Sequence, residues 1–225
     1  MKIHEVAPGV FRLALMSPDH TNVYLAGDVL IDAGGRFDAK RILKALEGRQ
    51  VAAHVLTHAH FDHFGGSRAI CQGLDLALWC GAGDREAVET GNLSQILPRS
   101  KGILARIHQT LGGSGHPVAR GLREGDEVGE FMVVETPGHT PGHLAFWREA
   151  DRVLILGDVL FNRNPLSLRK GLQEPFSWAT VSPEQNRDSA RKLAALEPSV
   201  ICFGHGAHSN DVEGFQRFVE RLSNP

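Results

Sequence analysis

The stretch Thr57-His58-Ala59-His60-Phe61-Asp62-His63-Phe64-Gly65-Gly66 gathers three imidazoles and a carboxylate directly after the apolar Val55-Leu56. Imidazole nitrogen and carboxylate oxygen are the donors that borderline divalent metals such as zinc take. His58 and His60 are two apart, so an extended segment turns both to one side, whereas the adjacent Asp62 and His63 cannot share a direction in regular structure. The spacing predicts a turning loop that offers one pair of donors to one ion and the other pair to a second. Gly65-Gly66 lets the backbone pass close beneath the site and enter a helix. Packing alone does not account for such a cluster, and an internal run broken by Phe61 and Asp62 is not an expression tag.

Further donors stand at the ends of apolar runs, where open α/β folds place their chemistry. Thr136-Pro137-Gly138-His139-Thr140-Pro141-Gly142-His143 pins His139 between two Pro-Gly turns, which hold a ring at low entropic cost. His143 reads as structural, or as a support for another donor. Leu154-Ile155-Leu156-Gly157-Asp158 runs an apolar strand into an acid, a costly position unless the carboxylate is paired or metal-bound. Ile201-Cys202-Phe203-Gly204-His205-Gly206 ends a buried-type strand in an imidazole. Asp32 closes Val29-Leu30-Ile31, either accepting backbone N–H bonds in the Ala33-Gly34-Gly35 turn or holding a metal-bound imidazole. Taken together, five imidazoles and two carboxylates are enough donors for two ions.

The elements that must position these donors alternate between strand and helix. Strands are expected at 10–15, 22–26, 29–32, 51–56, 74–79, 128–135, 144–147, 153–156 and 200–203. Helices are expected at 37–46, 67–71, 82–89, 183–196 and 212–222, with Ser182 as N-cap, Pro183 in the first turn and Gln185 at the capping-box position. Two stretches, 91–121 and 162–183, read as irregular excursions of the lid or binding-loop kind. The first carries Ile103, Leu104, Ile107 and Leu111 at helical spacing, and Leu97 to Leu111 is the expected place for a homodimer contact. The order of elements predicts one α/β domain over residues 1–225, two sheets packed together with helices outside.

Composition narrows the class. The chain has 225 residues, 42% hydrophobic and 22% charged, and a net charge of −2. No Lys/Arg block is present, so neither a nucleic-acid groove nor a polybasic membrane patch is expected. Cys71, Cys80 and Cys202 are odd in number, lack CxxC spacing and sit in apolar segments, which points to buried thiols and a cytoplasmic location. Neither a signal peptide nor a membrane-spanning run is expected.

The series His58-x-His60-x-Asp62-His63, then His139, Asp158 and His205 in order, resembles the metallo-β-lactamase superfamily over essentially the whole chain. The resemblance implies a four-layer αββα sandwich with the site at one edge between the sheets. It implies one metal on His58, His60 and His139, another on Asp62, His63 and His205, and Asp158 bridging them, with Asp62 and Asp158 as the catalytic carboxylates. Two Zn2+ are the implied cofactors, with Fe or Mn as alternatives, and a metal-bridging hydroxide would cleave an ester, thioester or lactone of a small molecule. Asp158 stands where true β-lactamases generally carry another residue, a choice similar to glyoxalase II and lactonases. The chain stops one helix after His205, where glyoxalase II continues into a glutathione-binding helical domain, so thioester chemistry is expected without the classical enzyme. An alternative on the same scaffold is a mononuclear iron persulfide dioxygenase built on His58, His139 and Asp158; a phosphodiesterase is another.

Recognition residues are less defined. Arg163, Asn164, Arg169 and Lys170 read as an anion grip or as a solvated basic face. His20, His116 and His208 are candidates for the mouth of the site, and Phe176 and Trp178 form either an apolar wall or part of the core.

Overall fold

The structure, a computed structural model, describes residues 1–16, 19–98 and 114–222. The expected helical run at 103–111 lies outside them, as does most of the Leu97–Leu111 insert.

The first sheet takes β1 (Lys2–Ala7), β2 (Val10–Ala14), β3 (Asn22–Ala26), β4 (Val29–Ile31), β5 (Ala53–Val55), β6 (Leu78–Gly81) and β7 (Val118–Leu122) in chain order. It is antiparallel through β4 and parallel from β4 to β7. The second sheet runs through β8 (Glu127–Val128), β9 (Phe131–Glu135), β10 (Leu144–Arg148) and β11 (Val153–Ile155). A separate hairpin, β12 (Phe161–Arg163) and β13 (Lys170–Gln173), follows, and β14 (Val200–Cys202) then rejoins the second sheet parallel to β11.

Alternation along the strands builds the layers. Val29 and Ile31 of β4 face the second sheet and meet Val133, Phe146 and Ile155 there. Leu30, between them, faces outward onto Ile42 of α1 (Ala39–Leu46) and Ile70 of α3 (Ser67–Leu74). The short α2 (Phe61–Phe64) and α4 (Arg85–Thr90) cover the rest of that outer face through Phe64 and Val88. On the far side, Ala145 and Ile201 pack against Leu193 of α5 (Pro183–Ala194) and Phe215 of α6 (Val212–Arg221). Helix, sheet, sheet, helix is the αββα sandwich anticipated from the sequence. The Ser182 side chain accepts the Gln185 N–H, as the capping pattern requires.

The expectations differ from the structure at several elements. The stretch expected to be irregular at 91–121 ends in β7, and the strand expected at 128–135 is split into β8 and β9. Lys2–Ala7 is a strand, although its exposed, mixed side chains carry no buried alternation. Leu74 ends α3 rather than opening a strand, which starts at Leu78. The stretch 162–183 is not irregular throughout: it contains β12, β13 and a 3-10 turn at Ser177–Ala179.

His54 on β5 is buried in the first sheet; its Nδ1 lies 3.1 Å from the Leu30 carbonyl and its Nε2 2.9 Å from Ser67 Oγ. With Nδ1–H donating to Leu30, Nε2 accepts the Ser67 hydroxyl, so the neutral ring is fully satisfied. Burial pushes its pKa down from 6.5 to about 4, against the opposing pull of the Leu30 carbonyl and Asp32. On acidification from 6.5 to 4 the unfolded chain takes up a proton that the native ring refuses. Stability from this residue is therefore complete above pH 6.5 and falls by up to about 3 kcal/mol as pH drops through 4. Urea unfolding at pH 7 and pH 4.5 is expected to show a smaller pH-dependent loss in His54→Gln than in the unsubstituted protein.

Candidate metal centre

Parallel pairing brings the strand ends together. Ile31 pairs with Val55 on the first sheet, which puts Asp32 beside the start of the histidine loop. On the second sheet Ile155 pairs with Cys202, so the Asp158 and His205 turns leave side by side. The hairpin between β9 and β10 carries His139 and His143. Two backbone bonds stitch the sheets at this edge: Leu144 N–H donates to Thr57 O at 2.8 Å and Asn22 N–H to Gly204 O at 2.8 Å.

The donors converge. Asp158 Oδ2 lies 3.1 Å from His205 Nε2, 3.5 Å from His63 Nε2, 3.6 Å from His139 Nε2 and 3.7 Å from His58 Nε2. Asp62 Oδ2 is 3.5 Å from His205 Nε2 and 3.9 Å from His63 Nε2. Ligand atoms of His58, His60 and His139 lie within 4.8 Å of one another, as do those of Asp62, His63 and His205, and those of His58, His63 and Asp158. All seven sequence candidates are thus brought to one place; the imidazoles and Asp158 are buried and Asp62 is half-buried.

Among the described residues, His58 Nε2, His63 Nε2, His139 Nε2 and Asp158 Oδ1 are buried and make no hydrogen bond. Buried polar atoms ordinarily find partners, and lone pairs facing one another are answered by a cation between them. The donor set fits such an ion in type and number. Two glycines keep the space open. A Cβ at Gly204 would run into Asp158 Oδ1 and come within 2.8 Å of His63 Cε1. Gly157 has φ +57°, and a Cβ there would meet His143 Nε2 at 2.8 Å.

A surrounding layer fixes each ring. Asp32, at φ +65°, accepts from Thr57 N–H at 2.8 Å and Thr57 Oγ1 at 2.8 Å, and its Oδ2 is 2.8 Å from His63 Nδ1. Of the two sequence readings of Asp32, the structure supports the one in which it orients an imidazole; the backbone N–H that its carboxylate accepts is that of Thr57, not one in the Ala33-Gly34-Gly35 turn. Thr57 Oγ1 is 3.0 Å from His58 Nδ1, and Thr180 Oγ1 3.0 Å from His139 Nδ1. Each hydroxyl gives its proton elsewhere, Thr57 to Asp32 and Thr180 to the Phe176 carbonyl. Both therefore accept from Nδ1–H, which leaves Nε2 of His58 and His139 with a lone pair. His60 Nε2 lies 3.4 Å from the Ile96 carbonyl. His205 Nδ1 donates to the His20 carbonyl. His143 Nε2 accepts the Asp158 backbone N–H at 3.1 Å, so it is a support and not a donor to the centre; burial pushes its pKa down to about 3.

The ionisation pattern follows from this crowding. Burial and neighbouring imidazoles hold His58 and His139 well below the usual histidine range. Burial also opposes charge on His63 and His205, but Asp158 and Asp62 outweigh it and raise both, Asp32 adding to the effect at His63. Despite burial, His63 and His205 hold Asp158 well below the carboxylate range and lower Asp62. A bound cation takes the place of those protons, so metal uptake releases protons and weakens in acid.

Sequence reasoning missed Asp84. Its carboxylate accepts from Ala59 N–H at 3.0 Å, Thr140 Oγ1 at 2.7 Å and Gly142 N–H at 2.7 Å, tying the His58–His63 loop to the His139 loop. Burial pushes its pKa up to about 6, against those three donors. The available signal was an acid three residues beyond the end of β6, in Gly81-Ala82-Gly83-Asp84. Asp84→Asn turns an amide N–H toward a donor; metal affinity is expected to fall about 10–100-fold, read by competition with a chromophoric chelator.

The centre opens into a cleft walled by Phe61, Phe161, Pro165, Leu166, Phe176 and Trp178, with His20 beside it. His116 and His208 do not line it, and neither do Arg163, Asn164, Arg169 or Lys170. Arg163 is buried and donates to the Leu168 carbonyl at 2.9 Å, bracing the β12–β13 hairpin, and Arg169 and Lys170 point into solvent. The anion-grip reading of these residues does not hold.

Residues 16–205 match the model of the metallo-beta-lactamase superfamily. The probable metallo-hydrolase YflN of Bacillus subtilis is 30% identical over 226 residues, covering 90% of this chain and 85% of that protein. A hydroxyacylglutathione hydrolase of Rhodospirillum rubrum is 32% identical over 158 residues, 68% of this chain but only 47% of that protein. Among solved structures, TTHA1623 in a di-iron-bound form superimposes with a TM-score of 0.71 at 27% identity, covering 96% of this chain and 98% of that one. With its αββα layers and its clustered His and Asp donors, the chain belongs to the metallo-beta-lactamase superfamily, a family of metal-dependent hydrolases.

Proposed function

We propose that this chain, acting as one domain over residues 1–225, is a dinuclear zinc hydrolase of small-molecule esters, thioesters or lactones. The observation that carries the reading is the convergence of four Nε2 atoms on Asp158 Oδ2, three of them buried without a hydrogen bond. His58, His60 and His139 would hold one ion, and Asp62, His63 and His205 the other, with Asp158 between them. A divalent pair supplies hydroxide at neutral pH and polarises a carbonyl. In the reaction one water is consumed: its oxygen bonds to the carbonyl carbon, the C–O or C–S bond breaks, and the alcohol or thiol leaves with the proton. Asp62 borders the cleft with 21% of its side chain exposed, against 4% for Asp158. Asp62 is therefore the carboxylate that takes and returns the proton, and Asp158 keeps the imidazoles in register.

The di-iron form of a similar protein keeps iron as the alternative metal. The relative named hydroxyacylglutathione hydrolase supports thioester chemistry. Among the described residues no helix is long and apolar enough to cross a membrane, and three buried free cysteines support a reducing, cytoplasmic setting.

Zinc-loaded protein should be offered a glutathione thioester, an acyl homoserine lactone and an activated phosphodiester. Turnover of either carbonyl substrate above the phosphodiester is expected. Preference for the phosphodiester, or no zinc-dependent turnover of any of them, contradicts the reading.

A further inference from the structure

The cleft has a chemical character of its own. Phe161 meets His205 edge-on at 4.7 Å between ring centroids, Phe176 meets Phe161 at 5.8 Å, and Trp178 stacks on Phe176 at 5.2 Å with 15° between planes. These rings form an unbroken aromatic ladder that begins on a donor of the centre and runs outward. Pro165 and Leu166 extend the same surface at the rim, and Leu166 is 70% exposed. Apart from the donors of the centre and His20, no polar side chain lines the cleft among the described residues, and no Lys or Arg does. The hairpin carries three cations nearby, yet Arg163 is buried outside the cleft lining with Nη1 on the Leu168 carbonyl, and the other two are exposed.

Substrate carboxylates or phosphates remote from the reacting carbonyl would find no counter-charge among the described residues of this wall. Desolvating them against aromatic rings is unfavourable. An apolar chain or ring would instead remove Phe176, Trp178 and Leu166 from water. Exposed apolar surface contiguous with a reactive centre marks a ligand groove.

We propose that the substrate carries an uncharged apolar chain or aryl ring next to its scissile carbonyl, and that Phe176 and Trp178 determine specificity for it. This inference rests on the hydrolase reading above, and the two fail differently. A series of p-nitrophenyl esters from acetyl to octanoyl, with a carboxylate-terminated ester of matched length, tests it on zinc-loaded protein. kcat/KM is expected to rise about two- to fourfold per methylene until the wall is covered, and the carboxylate-terminated ester to fall at least about tenfold below its hydrocarbon match. In Trp178→Ala the octanoyl-to-acetyl ratio of kcat/KM is expected to fall about tenfold. Hydrolysis with no dependence on chain length, a preference for the charged ester, or an unchanged ratio in Trp178→Ala overturns the inference and leaves the hydrolase reading standing.

Absence of zinc-dependent turnover sinks the hydrolase reading, and binding then tests the wall by itself. Titration of metal-free protein with 2-undecanone, a neutral ketone, is expected to change tryptophan fluorescence saturably, and the change to vanish in Trp178→Phe. A signal retained in Trp178→Phe, or none in the unsubstituted protein, overturns the inference.

Discussion

Asp158→Ala is expected to retain the fold, lose at least one metal ion, and lower kcat/KM by about a thousandfold. The carboxylate is the shared neighbour of four imidazoles, 3.1 to 3.7 Å away. Removing it takes the negative charge from beside His63 and His205, whose charge it favours, and leaves no oxygen between the two donor triads. Imidazoles can answer by staying neutral, which is why folding survives while metal binding does not. Elemental analysis, circular dichroism and turnover on one preparation separate these effects. Asp158→Asn, with the shape but not the charge, is expected to lie close to the alanine variant, because an amide donates where a cation must sit. Wild-type turnover in either variant would refute the assignment of the centre.

The second large effect is expected at Asp32, which touches no reacting atom. Asp32→Ala strands three buried donors, Thr57 N–H, Thr57 Oγ1–H and His63 Nδ1–H, a loss of about 3 kcal/mol or more. Alanine also sits poorly at φ +65°, adding about 1 kcal/mol. Freed from Asp32, the His63 ring loses its orientation, and metal affinity is expected to fall about 10–100-fold, first at the Asp62–His63–His205 triad. Asp32→Asn tolerates the positive φ and separates the two contributions. Its urea midpoint should lie between those of the alanine variant and the unsubstituted protein, with metal affinity still reduced. Equal stability of all three proteins would show that the Asp32 contacts contribute nothing.

Much of this site was legible because ligand chemistry restricts residue type and strand periodicity restricts direction. The histidine loop, the Pro-Gly-pinned His139 and the acids and imidazole closing apolar runs are local signals, and the structure brings all seven donors together. The supports were harder to read because their partners are remote in sequence. Asp84 reaches Thr140, Thr180 reaches His139, and Asn22 holds the Phe203 and Gly206 carbonyls. Nothing local marks such pairings. The β12–β13 hairpin was hidden for a related reason. Its strands are short and largely polar, and tertiary bonds hold it, from Asn162 N–H to the His205 carbonyl and from the Asn162 side-chain amide to the Ala207 carbonyl. Arg163 looked like a surface cation because a buried guanidinium serving a carbonyl has the same letter as a solvated one. Lys2–Ala7 pairs with β2 by backbone register and has no buried face for a pattern to reveal.

The central claim is that these seven side chains form one two-ion centre. Metal content measures it most directly, on protein equilibrated with zinc and then dialysed against metal-free buffer, alongside His63→Ala. About two zinc ions per chain are expected in the unsubstituted protein, with about one or fewer in the variant. A chain that retains no zinc, or a His63→Ala protein that retains as much as its parent, would contradict the account.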